Sequence, residues 1–269
     1  MAKRGYISPD GTARKTAKIY LGDENGLSRK ITKAYIGDEN GIAREWFVSE
    51  SPIGNLPIGA SVFMNVNGVR TEFLVVHQGI PDSTLYDASC NGTWLLMKDI
   101  YTRVVWDKTN NDYANSDVHA YLNNTFIGLL DQYVQSNIKQ IKIPYVGSTG
   151  RSGSVKSGSN GLSTKIFLPS AKETNYSNAE FNDGVCLSYF MGTSSTDDKF
   201  IAYYNGSAEN WSLRTPCKGS DKNVRFMYYM GYHNSSSCIY DLGVRPALIL
   251  PSNTLVDEEF NVIGQGVTP

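Results

Sequence analysis

The first 46 residues repeat a short unit, and that period limits what this part of the chain can form. Tyr6, Tyr20 and Tyr35 each open a Tyr-Ile or Tyr-Leu step. Gly11, Gly26 and Gly41 each close a turn, and Arg14, Arg29 and Arg44 each come three residues later. The copies read YISPDGTARKTAK, YLGDENGLSRKITK and YIGDENGIAREW. Asp-Gly and Asn-Gly supply the positive φ angles of a hairpin turn, so each copy reads as strand, tight turn and second strand. A unit this small cannot bury a core alone and must pack on its neighbours or on another chain. Residues 1–48 are therefore expected to serve attachment to a virion or self-association, with unpaired strand edges as the means. The plainer alternative is an adhesive arm without fixed structure.

Residues 49–58, containing SESPIGNLP, read as a linker. Beyond it, SVFMNV, the Asn67-Gly68 turn and VRTEFLVVHQ predict a hairpin, and WLLMKDIY a buried strand. Ser116 is placed to cap a helix whose apolar positions are Val118, Tyr121, Leu122, Phe126, Leu129 and Leu130. The Gly/Ser-rich stretch from Gly147 to Ser163 reads as a flexible excursion. KIFLPS (Lys165 to Ser170) reads as a strand ending in a capping box of Ser170 with Glu173. Short strands and long polar loops make up the remainder. The expected fold class is α+β, with one domain over 59–251 and a C-terminal tail over 252–269.

A net charge of −1 with no basic stripe argues against duplex nucleic acid as a partner. No run approaches the ~18 apolar residues of a transmembrane helix, and no secretory signal is expected after the opening Met-Ala-Lys-Arg-Gly-Tyr. Cys90, Cys186, Cys217 and Cys238 form no CxxC pair, and Cys217 with Cys238 could be either a disulfide or two free thiols. The 17 tyrosines, with abundant Asn, Ser and Gly, suit an adaptable recognition surface, although a tyrosine-rich β protein with many turns has the same composition.

No catalytic pattern assembles from the spacing. His77, His119 and His233 lie far apart, without a GxSxG, HExxH, EF-hand or phosphate-loop motif. His77 reads as a packed strand residue and His119 as a helix-surface residue. The expectation is a protein that is not an enzyme, with no catalytic residue, cofactor or metal.

The order GTWLLMKDIY, Trp106, YANSDVHAYLN, KIFLPSAKE, WSLRTP and GVRPALIL resembles an uncharacterised domain family of gut bacteria and their phages. That family is similar to the C-type-lectin-like fold, including formylglycine-generating-enzyme-type domains and the variable proteins of diversity-generating retroelements. The resemblance implies a lectin-like domain preceded by the hairpin repeats. It makes Trp211, Arg214, Gly243 and Arg245 framework, and puts the ligand surface between WSLRTP and GVRP. Within that segment the run RFMYYMGYHNSSSCIYD nominates Arg225, Tyr228, Tyr229, Tyr232, His233, Asn234, Ser236, Tyr240 and Asp241 as ligand-binding residues. In retroelement variable proteins adenine-bearing codons are diversified, and every residue from Tyr228 to Asp241 except Met230 belongs to the permitted outcomes.

The departures are informative. No Glu-Pro-Asn, Gln-Pro-Asp or Trp-Asn-Asp segment is present for calcium-dependent sugar binding, and the cysteines do not match a formylglycine-generating centre. The implied function is a phage or prophage protein acting extracellularly on a protein or glycan ligand of a host cell surface. An enzyme on the formylglycine-generating fold and an inert structural decoration protein are the alternatives.

Overall fold

The computed structural model describes residues 50–194 and 197–265, together with the backbones of four N-terminal strands. Tyr20–Gly22 pairs antiparallel with Ser28–Lys30, and Lys33–Gly37 with Ala43–Val48. The second and third repeats thus place paired strands where hairpins were expected. The first repeat and the turns at Gly26 and Gly41 lie outside the described residues.

The body is a β-rich α+β fold built on two five-stranded sheets. The first runs in the order Ile166–Phe167, Ala247–Leu250, Thr93–Met97, Val69–Gln78 and Ser61–Val66, antiparallel throughout. Asn67 (φ 52°) and Gly68 (φ 75°) make the tight turn between its last two strands, with Val66 opposite Val69. The second sheet runs His233–Ser237, Asn223–Met227, Trp211–Pro216, Asp241–Val244 and Thr102–Val105. One of its pairings is parallel, made where Trp211 meets Gly243.

The run WLLM reads as continuously apolar because the first sheet is covered on both faces. Phe73, Val75, Leu95, Met97, Leu248 and Leu250 face a core completed by Trp106 and the helical segment. Their neighbours Leu74, Val76, Trp94, Leu96 and Ile249 face a second core, shared with Trp211, Leu213 and Met227 of the second sheet. The Ser116 hydroxyl accepts from the His119 backbone N–H and starts the helix as predicted. That helix is α over Asp117–Ala120, widens to a π turn over Tyr121–Thr125 and tightens to 3₁₀ over Phe126–Leu129. Val118, Leu122, Phe126 and Leu130 are buried, as the spacing required. No described helix is long and apolar enough to cross a membrane.

Several expectations need correction. The stretch 49–58 is no linker: Glu50–Pro52 forms a strand against Thr254–Asp257, and Ile53 is fully buried. The stretch 252–265 is no tail either, since Thr254–Asp257 also pairs with Val262–Gln265 and Val256 is fully buried. Ile53 and Val256 both complete the first core, which is the physical reason these ends are ordered. The Gly/Ser-rich stretch is anchored as well. Tyr145–Gly147 pairs with Ser154–Lys156, and the buried Gly150 N–H donates to Asn111 Oδ1. A Cβ on Gly150 would sit 2.0 Å from the Cys217 carbonyl oxygen. His119 is not a surface residue but half-buried, edge-on to Tyr113 and 3.2 Å from Thr164 Oγ1. All four cysteines are free thiols.

Candidate functional site

The second sheet is held by two buried arginines. Arg214 is 1% exposed, and all five of its N–H donors are engaged. Two go to the Glu173 carboxylate at 2.6 and 2.7 Å, and three to the carbonyls of Pro144, Leu168 and Asp183. Burial works against the guanidinium charge, but Glu173 and then Asp183 outweigh it and raise the Arg214 pKa. Glu173 also accepts from Tyr86 Oη (2.7 Å) and from the Ser170 backbone N–H (2.9 Å). The reciprocal bond from the Glu173 N–H to Ser170 Oγ completes the capping box, yet the chain continues only as a turn. The same carboxylate makes both the capping bond and the pair with Arg214. The Asp183 side chain accepts from Thr215 through Oδ2 while Oδ1 has no hydrogen-bond partner among the described residues, and burial raises its pKa to about 6.

Arg245 differs. Its Nε donates to the Met97 carbonyl, and its guanidinium carbon lies 4.5 Å from the Trp211 ring centroid. Its Nη1 makes no hydrogen bond among the described residues, and burial lowers its pKa to about 10. Trp211 in turn donates from Nε1 to the Phe200 carbonyl (2.8 Å). Gly243 passes so close that a Cβ would meet Ile100 Cδ1 at 2.6 Å and the Asn210 carbonyl at 2.7 Å. Trp211, Gly243 and Arg245 therefore interlock the strands Trp211–Pro216 and Asp241–Val244, while Arg214 ties the first of these strands to Pro144, Leu168, Glu173 and Asp183.

From this frame projects the hairpin of Asn223–Met227 and His233–Ser237, closed by a turn over 228–232. The Tyr228 N–H donates to Tyr232, the Gly231 N–H to Tyr228, and Gly231 takes φ 89°. Three tyrosines cluster there, with the Tyr228 ring 4.3 Å from Tyr229 and 4.7 Å from Tyr232. Their mutual hydroxyl contacts, Tyr229 first, raise the Tyr228 pKa to about 12. Tyr229 is 42% exposed, and its N–H is fixed by Asn210 Oδ1.

Beside the turn lies a cleft of about 450 Å³ lined by Asn175, Tyr176, Ser177, Asn178, Thr193, Ser194, Phe200, Tyr232 and His233. That is within the ~300–1,000 Å³ usual for small-ligand pockets. No lining side chain is a carboxylate, ammonium or guanidinium. His233 stacks on Tyr176 at 4.5 Å and meets Phe200 edge-on. Its Nε2 is 2.8 Å from Thr174 Oγ1. Burial, with a smaller push from Arg225, lowers its pKa to about 4, so the ring is neutral at pH 7. Arg225 lines no part of the cleft; it pairs with Glu180 at 2.6 Å and lies 5.4 Å from the Tyr176 ring centroid.

The nominated residues divide into groups. Tyr228, Tyr229, Tyr232 and His233 come together at the turn and cleft, with Arg225 behind Tyr176. Asn234 is occupied in a bond from the Ser235 N–H, and Ser236 lies farther along the strand. Tyr240, 59% exposed, lies in the next connection, and Asp241 opens the strand Asp241–Val244, where Asp241 and Glu209 both pair with Arg103. Sequence reasoning missed Asn175 to Asn178, although the run Asn-Tyr-Ser-Asn has the same composition as the segment it nominated. It missed Glu173 as the partner of Arg214 too.

Among the described residues no group of three or more His, Cys, Asp or Glu side chains is placed to hold a metal ion. His77 Nδ1 lies 2.8 Å from Ser188 Oγ, and burial lowers the His77 pKa; neither residue lines the cleft. Comparison with curated proteins and with solved structures gives no match. Residues 91–252, more than half of the chain, match the model of a family described as a domain of unknown function (DUF6273), and the chain belongs to that family.

Proposed function

We propose that this chain is a non-enzymatic ligand- or receptor-binding protein of a phage or prophage. Its domain has the C-type-lectin-like fold and displays a diversifiable surface along Tyr228 to Asp241, as in variable proteins of diversity-generating retroelements. The N-terminal hairpins attach it to a virion or to other copies, and it acts outside the cell on a protein or glycan of a host surface. One observation carries this reading. A cluster of three tyrosines, Tyr229 exposed and Tyr228 and Tyr232 half-buried, stands on a tight turn whose base, Trp211 and Met227, is anchored in the core. Tyrosine offers large contact area at low entropic cost, and a rigid base lowers the ordering cost of binding.

The test is replacement of Tyr228, Tyr229, Tyr232 and Tyr240 by alanine in the full chain. The variant is expected to keep its circular dichroism spectrum and melting temperature while losing retention on host cells. Undiminished retention would refute the assignment of this surface. Diversification is checked separately in the neighbouring DNA, where a near-copy of the Trp211 to Pro246 coding region, differing at adenines, is expected beside a reverse transcriptase.

A further inference from the structure

His233–Ser237 is an edge strand, with no described strand on its outer side. Its hydrogen-bonding parity is fixed by two bonds, Tyr228 N–H to Tyr232 and Cys238 N–H to Lys222. In an antiparallel ladder these bonds recur at every second pair. Asn234 and Ser236 therefore bond inward to Phe226 and Val224, while the backbones of His233, Ser235 and Ser237 point out. Two of the outward groups are already used. The Ser235 N–H donates to Asn234 Oδ1, and the Ser237 carbonyl accepts from the Tyr240 N–H. Among the described residues of this edge, the one whose outward N–H and carbonyl both lack a partner is His233, which also lines the uncharged cleft.

We infer that the His233 end of this edge takes an extended peptide segment of a partner protein, whose central, uncharged residue pairs with the His233 backbone and puts its side chain into the cleft. Directly opposed residues of paired strands point their side chains to the same face, so the residue facing His233 is directed where the imidazole lies. The lining of Tyr176, Phe200, hydroxyls and amides offers no counter-charge, and an ionised side chain entering it would go unpaired. Asn234 acts as a plug that withholds the Ser235 donor and keeps the free edge one residue wide.

This inference rests on the ligand-binding reading and names the partner's chemistry. It is tested with the full chain immobilised against a displayed library of random linear nonapeptides, then with synthetic peptides in fluorescence anisotropy. The selected peptides are expected to share one uncharged position. N-methylation of that residue's amide should weaken binding about tenfold, the loss of one well-made hydrogen bond. Arginine there should weaken it at least as much. Asn234→Ala should strengthen binding severalfold by releasing the Ser235 N–H. Absence of enrichment, indifference to N-methylation, or a charged consensus at that position would overturn the inference. So would a concentration-dependent dimer of the chain that competes with the peptides, because the edge would then serve a second copy. If the four-tyrosine variant loses cell retention while no peptide is enriched, the binding function stands and this mode of binding falls.

Discussion

Replacing Arg214 by methionine removes the guanidinium while keeping much of the side chain's bulk. It leaves the Glu173 carboxylate fully buried, with only Tyr86 Oη and the Ser170 N–H as donors. It also leaves the carbonyls of Pro144, Leu168 and Asp183 without their Arg214 donors. Removing one partner of a buried ion pair costs about 3–5 kcal/mol, and most of that is the stranded charge. Glu173→Leu should cost a similar amount for the mirror-image reason. In the double variant neither member of the pair is stranded, Asp183 is left to take up its proton without the Arg214 charge beside it, and the remaining cost is unpaired carbonyls and one phenol, each of order 1 kcal/mol. Its destabilisation should therefore fall short of the sum of the singles by at least about 2 kcal/mol. Urea unfolding of the four proteins, with slopes compared to exclude a changed unfolded state, gives the cycle directly. Single variants within about 1 kcal/mol of the parent, or costs that add to within about 0.5 kcal/mol, would show that the pair does not hold this part of the fold.

Two further predictions come from the buried groups. Asp183 keeps its proton to about pH 6 in the folded state, against 3.8 unfolded, so its favourable contribution is complete below pH 3.8 and is lost as pH rises through 6. The span corresponds to about 3 kcal/mol, and Asp183→Asn should gain on the parent by an amount of that order between pH 4 and 6.5 in urea titrations; a constant difference would contradict the assignment. Gly150→Ala should cost about 1–3 kcal/mol and open the loop to limited proteolysis, because the added Cβ meets backbone. Gly128→Ala, with nothing within 4 Å, is the control expected to lose no stability, and equal melting temperatures for the two variants would count against the crowding argument.

The features legible in the sequence were local. The Asn67-Gly68 turn, the Ser116 cap and the spacing of Val118, Leu122 and Phe126 each carry their physical cause within a few residues. Long-range partners were not legible. Arg214 and Glu173 are 41 residues apart, and Ser170-x-x-Glu173 already had a sufficient local meaning as a helix start. The capping bonds do form, but the ion pair holds Glu173 to Arg214 and the chain beyond it stays a turn. Ile53 and Val256 sit in segments whose polar and proline-bearing neighbours mimic a linker and a tail, and only their shared core identifies them. Gly150 looked flexible because glycine so often is, whereas here the Cys217 backbone leaves no room for any other side chain. For the candidate site, the turn over 228–232 was legible from composition. Its opposite wall, Asn175 to Ser194, was not, because nothing local brings it to His233.

The structure also bears on how a surface can vary without loss of the fold. The nominated residues from Tyr228 to Asp241 belong to neither core, whereas Trp211, Leu213, Val224, Met227, Cys238 and Val244 around them do. The strands are tied by backbone ladders, by five donors of one arginine, and by an arginine on a tryptophan face, none of which depends on a side chain of the turn. Substitutions at Tyr229 or Tyr240 change exposed surface, where effects on stability are usually within about 0.5 kcal/mol. His233 is the exception within the run. Its ring is stacked on Tyr176 and bonded to Thr174, so changing it alters the cleft wall as well as the surface. The residues nominated for binding and the residues that hold the fold are thus different over most of this segment and overlap at His233, which is also where the sheet edge and the cleft converge.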